Sequence, residues 1–170
     1  DMVLPIDVSG RVVTFHYEDE SGYEEKTLLK SDGTCATMPS EAVREGYRFL
    51  GWFTEEGKEV NETSSFDESY GDEIEVYAKW IKTWKVTMGQ RGEGEVSVSS
   101  TKGEKNPFDE GSDVIVSYEA SEGYEVKSVW LDGVEYQPNE NGKLLIKNIE
   151  ADHYVLVEFE AKEEGNKPVY

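Results

Sequence analysis

One cysteine, two histidines and 17 basic residues against 37 acidic ones, in a chain of 170, exclude several kinds of protein before any motif is read. Cys35 has no partner, so no internal disulfide can form, and a single thiol fits an exported protein as well as an intracellular one. His16 and His153 lie far apart with no Cys or Ser motif beside them, which favours structural or solvated roles. The chain has no Gly-x-Ser-x-Gly elbow, no His-Glu-x-x-His, no glycine-rich phosphate loop and no spaced cysteine pair. No run approaches the ~18 apolar residues of a membrane span, and nothing resembles a charged-then-apolar leader. The first residue is Asp1 and not an initiator Met, as expected of a fragment of a longer chain.

The charge balance, 17 minus 37 or -20, sets up a field that repels phosphate backbones and anionic lipid. Nucleic acid and direct membrane insertion are therefore set aside, and solubility is the ordinary use of such charge. The sharper alternative is a surface for a basic partner or for divalent cations. Carboxylates are so abundant that a catalytic pair can be drawn between almost any two strands, which makes each one uninformative. The segment Asp109–Asp113 has carboxylates at its first and fifth positions, but an EF-hand needs Gly at the sixth and an acid at the twelfth, where Val114 and Ala120 stand. It reads as a turn, and the Glu18-Asp19-Glu20 tip as solvated charge. The expectation is a non-enzyme with no metal and no cofactor.

Aromatic residues are what the chain does have. In Arg44-Glu45-Gly46-Tyr47-Arg48-Phe49-Leu50-Gly51-Trp52-Phe53, Gly46 supplies a turn. Strand alternation then places Tyr47, Phe49, Gly51 and Phe53 on one face, with Arg48, Leu50 and Trp52 on the other. A second run closes on Tyr77-Ala78-Lys79-Trp80, where Ile74, Val76, Ala78 and Trp80 share a face. Buried aromatics, at roughly 150 to 250 Å² each, can give a module of about seventy residues a core without disulfides.

The Gly-Tyr-x-Phe-x-Gly-Trp-aromatic run followed by Tyr-Ala-x-Trp resembles the Listeria-Bacteroides repeat, the internalin B-type repeat of bacterial surface and secreted proteins. Residues 11–80 span one such repeat, with Pro39, Arg44, Glu45, Gly46, Tyr47, Phe49, Gly51, Trp52, Tyr77, Ala78, Lys79 and Trp80 on its pattern. Two connections depart from it: Glu18 to Gly22 replaces an Asn-Gly-Gly turn, and Ala42-Val43 a Pro-Thr pair. The resemblance implies a β-grasp-like sheet with a short crossover. Periodicity alone implies only a β-rich module, α+β at most.

Turn signals and two aromatic closures divide the chain into a lead-in (1–10), a first module (11–80), a three-residue link (81–83), a second module (84–160) and a tail (161–170) with Gly165 and Pro168. In the first module, strands are expected at Val12–Tyr17, Tyr23–Lys30, Arg48–Phe53 and Glu73–Trp80, with one helical turn at Pro39–Val43 and a polar loop at Glu55–Tyr70. The second module reads as a small antiparallel meander, with strands at 84–88, 95–100, 114–119, 124–131, 134–137, 144–149 and 154–160 and tight turns at Asp132-Gly133 and Asn141-Gly142. Glu122-Gly123-Tyr124 followed by Trp130 echoes Glu45-Gly46-Tyr47 followed by Trp52, and it resembles a divergent branch of the same repeat group.

Gly46, Tyr47, Phe49, Gly51, Trp52, Tyr77, Trp80, Gly123, Tyr124 and Trp130 are thus expected to be structural. Tyr23, Tyr70 and Tyr136 lie outside the motifs and are the candidate ligand contacts. A Lys85–Asn148 cross-link is one further arrangement to test. The expected function is that of secreted or cell-surface bacterial repeat modules, monomeric within a longer chain, which space and present other domains. Adhesion to a host or matrix protein or glycan goes with that role, and a glycan-binding module using exposed Tyr and Trp is the alternative.

Overall fold

A computed structural model describes residues 8–163; residues 1–7 of the lead-in and 164–170 of the tail, with Gly165 and Pro168, lie outside the described residues. The chain divides into two compact units, 1–81 and 82–170. Both are built from strands, and the only helical element among the described residues is a three-residue 3-10 turn. Among the described residues no helix is long and apolar enough to cross a membrane.

The first unit holds β1 (Val8–His16), β2 (Glu24–Lys30), β3 (Tyr47–Thr54), β4 (Glu59–Val60) and β5 (Glu73–Trp84), in the spatial order β2-β1-β5-β3-β4. Alternation dictates the inner face: Val13 and Phe15 of β1 and Ile74, Val76 and Ala78 of β5 are buried on it, while Thr14, between Val13 and Phe15, is buried as well. β1 and β2 form an antiparallel hairpin, whereas β1 and β5 run parallel, with Val12 opposite Glu73 and His16 opposite Tyr77. Residues 81–83, read from the sequence as a link, are strand residues of β5.

β3 departs from strict alternation. Phe49 packs against the core, yet Trp52 and Thr54 are buried as well, while Leu50 is exposed. The phase changes at Gly51, whose φ of +132° is a conformation that side-chain-bearing residues rarely adopt. Gly51 and Phe53 consequently share the outer side and Trp52 turns in, so Phe49 and Trp52 do not lie on opposite faces as alternation predicts.

The expected helical turn at Pro39–Val43 does not form; those residues are irregular up to the bridge at Arg44. A lone turn fixes several dihedrals for a single hydrogen bond and needs a packed face to be retained. Here only Ala42 is buried and Val43 is 88% exposed. The segment is held instead by Thr37, whose amide donates to Thr27 Oγ1 at 3.1 Å, and by the Ala36 amide, which donates to the Leu28 carbonyl at 2.8 Å. The 3-10 turn lies at Glu68–Tyr70, inside the expected polar loop, where Asp67 caps its first amides and Gly71 ends it. Arg11 secures that loop by donating to three carbonyls, those of Phe66, Asp67 and Gly71, at 2.7 to 2.9 Å.

The second unit holds β6 (Val86–Arg91), β7 (Gly94–Ser100), β8 (Phe108–Asp109), β9 (Val114–Ala120), β10 (Tyr124–Leu131), β11 (Val134–Tyr136), β12 (Lys143–Ile146) and β13 (His153–Ala161). A four-stranded sheet, β11-β10-β13-β6, and a three-stranded sheet, β12-β9-β7, contribute Val86, Val114, Val116, Val129, Val155, Val157 and Phe159 to one core. This is not the expected meander. β13 returns to pair in parallel with β6, and β7, β9 and β12 form a sheet of their own. β6 begins at Val86 and not at Trp84, because Trp84 belongs to β5, where it pairs with Phe108, and Asn106 brackets Val86. The Asn106 side chain accepts from the Val86 amide at 3.0 Å and donates to the Val86 carbonyl at 2.6 Å. The tip between β6 and β7 passes so close to β13 that a Cβ on Gly92 would collide with the Phe159 carbonyl.

Candidate contact surface

The aromatic motif of the first unit assembles around Trp52. Its ring meets Phe15 at 5.1 Å, Tyr17 at 5.0 Å and Phe49 at 5.3 Å between centroids, all edge-on, and Phe49 in turn meets Trp80 at 5.4 Å. The Trp80 indole N–H donates to the Tyr17 carbonyl at 2.8 Å, which pins β5 to the end of β1. Of the expected structural residues only Trp52 is fully buried, at 4% exposure; Phe49, Trp80 and Tyr124 are half-buried against the two cores. Tyr77 stacks on His16 at 4.9 Å, outside the core. Gly46 and Gly123 occupy exposed turns, each with positive φ. Trp130 lies half-buried on the four-stranded sheet of the second unit, where its N–H is shared between Ser128 Oγ at 3.0 Å and Glu158 Oε1 at 3.2 Å. The Ser128 hydroxyl, donating to Glu158, is the main reason that carboxyl is held below its usual range.

Tyr47 is bracketed from outside by Arg44. The guanidinium sits 3.7 Å from the Tyr47 ring centroid and donates through Nε and Nη2 to the Glu20 carboxylate at 2.6 to 3.1 Å. One side chain thus joins the β1–β2 hairpin tip to the turn before β3. Spacing in the sequence carries no trace of this pairing.

Of the candidate ligand contacts, Tyr23 is 54% exposed and Tyr136 43%, on different units. Tyr70 is half-buried edge-on against Phe66 and is held by the core. Beside the Trp52 cluster lies an open groove of about 500 Å³. Phe49, Trp52, Val60 and Met38 form its floor, and the exposed Glu41, Glu59 and Glu62 stand around it.

Three acidic loop residues and one asparagine are committed to their own backbone. Asp19, Asp32, Asn61 and Asp67 each accept, through one side-chain oxygen, both the amide and the hydroxyl of the Ser or Thr two positions on. Hydrogen bonds from Ser21, Thr34 and Ser69 are the largest cause holding the three aspartates below the usual carboxyl range. The Asp/Asn-x-Ser/Thr spacing recurs four times among the described residues and was the available sequence signal for these turns. Among the described residues no group of three or more His, Cys, Asp or Glu is arranged to hold a metal ion. Asp113, in the segment weighed as a calcium loop, accepts from the Asn148 amide at 2.8 Å.

The histidines serve as cross-strand connectors. His16 reaches Glu24 at 3.1 Å and Glu75 at 3.3 Å, on the two strands flanking β1. His153 Nδ1 lies 2.5 Å from Asp132 Oδ2. Burial pushes the Asp132 carboxyl up, but the contact with His153 and the Tyr154 amide outweigh it and hold it below its ordinary value. Cys35 is buried, which pushes its thiol up to about 11 and makes it a poor nucleophile. Lys85 and Asn148 are both exposed, and the Asn148 amide donates to Glu150 at 3.0 Å. A Lys–Asn cross-link needs a buried acid beside both partners, and this pair has no such surroundings.

Residues 12–79 match the family model of the Listeria-Bacteroides repeat domain. The match ends at the close of the first unit, so the likeness of residues 84–160 to the same group rests on their own turn and aromatic residues. No curated protein and no solved structure matches the chain.

Proposed function

We propose, from the match of residues 12–79 to the Listeria-Bacteroides repeat domain, a bacterial surface-associated repeat module, that both units are non-catalytic, load-bearing spacers. They hold and present neighbouring domains of a secreted or cell-surface protein, monomeric within that chain, with adhesive contact to a host or matrix protein or glycan as an accompanying role. The supporting observation is one shared topology. In each unit the first strand is paired in parallel with the last: β1 with β5 over Val12–His16 and Glu73–Tyr77, and β6 with β13 over Val86–Arg91 and His153–Glu158.

Parallel neighbours put the start of one strand and the end of the other at opposite ends of the pair. Tension applied through the ends of a unit therefore loads the evenly spaced interstrand hydrogen bonds together, in shear. Peeling a hairpin breaks them one at a time, each worth only about 0.5 to 1.5 kcal/mol net. A spacer under traction needs the first arrangement.

Single-molecule extension tests this. Pulling the whole chain through its termini is compared with pulling between the amino terminus and an anchor at the end of β2, Ser31→Cys, which lies beside the start of β1 and peels the hairpin. The terminal geometry is expected to require the higher force, with a separate event for each unit. Equal forces in the two geometries would overturn the load-bearing reading. Glycan binding has weaker support, since Tyr23 and Tyr136 are exposed on separate units and Tyr70 is committed to packing.

A further inference from the structure

We infer that the acid-rimmed groove beside Trp52 docks an extended, lysine- or arginine-bearing segment of a partner protein. The groove joins two kinds of surface that usually lie apart. Its floor is apolar, from Phe49, Trp52 and Val60; its rim carries Glu41, Glu59 and Glu62, and no lysine or arginine lines it. Two of the rim carboxylates sit on well-defined backbone. Glu59 is in β4, paired with Phe53 of β3. Glu62 lies in the turn that the Asn61 side chain closes by accepting from the Thr63 amide at 2.9 Å and its hydroxyl at 2.6 Å.

Three outward rings elsewhere are each covered by a cation of the chain itself. Arg44 lies over Tyr47 at 3.7 Å, Lys79 over Phe53 at 4.4 Å and Lys82 over Trp84 at 4.5 Å. Among the described residues no cation of the chain is placed over Phe49, the partly open ring of the floor, although carboxylates stand around it. A lysine or arginine side chain is the complementary shape: its methylenes lie on the apolar floor and its charged end sits among the carboxylates. A net charge of -20 draws a cationic partner in and repels a second copy of this chain. The spacer role does not depend on this contact, and failure of one leaves the other standing.

The test is an amide-shift titration of the whole chain in 150 mM salt with the blocked hexapeptide acetyl-Lys-Val-Lys-Val-Lys-Val-amide. Saturable shifts are expected at Gly51, Val60 and Glu62. The double variant Glu59→Gln/Glu62→Gln, exposed at both positions and therefore folded, should bind at least ten-fold more weakly. Glu119→Gln/Glu122→Gln, an acidic group on the second unit, should leave affinity unchanged. Non-saturating shifts spread over both units would overturn the inference, as would equal losses in the two double variants or equal binding of the Glu-Val counterpart peptide. Shifts at the groove with neutral chitotetraose but none with the peptide would assign the groove to glycan and overturn it too.

Discussion

Trp52 keeps only 4% of its surface exposed while touching three other rings, so its removal opens a hole lined by Phe15, Tyr17 and Phe49. Trp52→Ala should cost ~3 to 5 kcal/mol in chemical denaturation of the first unit. A loss of a few tenths would place the indole outside the core. The turn aspartates make a second prediction, about pH. Asp32 has a folded pKa below its unfolded value, mainly because the Thr34 hydroxyl donates to it. Its contribution to stability is therefore present above the unfolded carboxyl pKa of about 3.9 and is lost as pH falls through the lower folded value. Thr34→Val removes that donor, so the Asp32 carboxyl followed by NMR should titrate at higher pH in the variant. An unchanged midpoint would mean that the hydroxyl does not hold the charge.

At the scale of single strands, β3 shows how one residue redirects an element. A Cβ on Gly51 would meet the Phe53 ring at 3.3 Å and would sit at a φ of +132°. Gly51→Ala should therefore destabilise the first unit by about 1 to 3 kcal/mol, read from the denaturation midpoint, even though the position is not buried. Across β7 and β9, Glu95 stands directly opposite Glu119. Like charges in that position repel, so Glu119→Lys should raise the second unit's stability by roughly 0.2 to 1 kcal/mol. A fall in melting temperature would contradict it.

These two cases also mark what was legible beforehand. The inner faces of β1 and β5 follow from alternation, because Val13, Phe15, Ile74 and Val76 obey period two, and the aromatic motif pointed to the family model that residues 12–79 match. The phase change at Gly51 was hidden because a glycine is silent in a count of apolar residues. The parallel return of β13 to β6 was hidden because strand pairing is decided between segments some seventy residues apart. The groove was hidden for the same reason: Glu41, Phe49 and Glu62 meet only once β3, β4 and the irregular segment before them are in place.

For the molecule as a whole, charge sets the solution behaviour. With -20 on the chain, raising salt from 0.01 to 0.15 M shortens the screening length from ~30 to ~8 Å and relieves self-repulsion. The melting temperature should rise with sodium chloride, and calcium at matched ionic strength should add nothing further. A calcium-selective rise would reveal a specific ion site. Separate cores in the two units allow two transitions to be followed in the same melt.

The parallel pairing of first and last strands has a consequence for extensibility. The 56 residues between His16 and Glu73 are folded behind that pair, and fully drawn out they span on the order of 200 Å. That slack is released only when the clamp yields, so a sudden pull is absorbed by lengthening and the covalent chain is spared. In the proposed spacer role, refolding once the pull ends would take the slack back in and make each unit a reusable fuse in a tether.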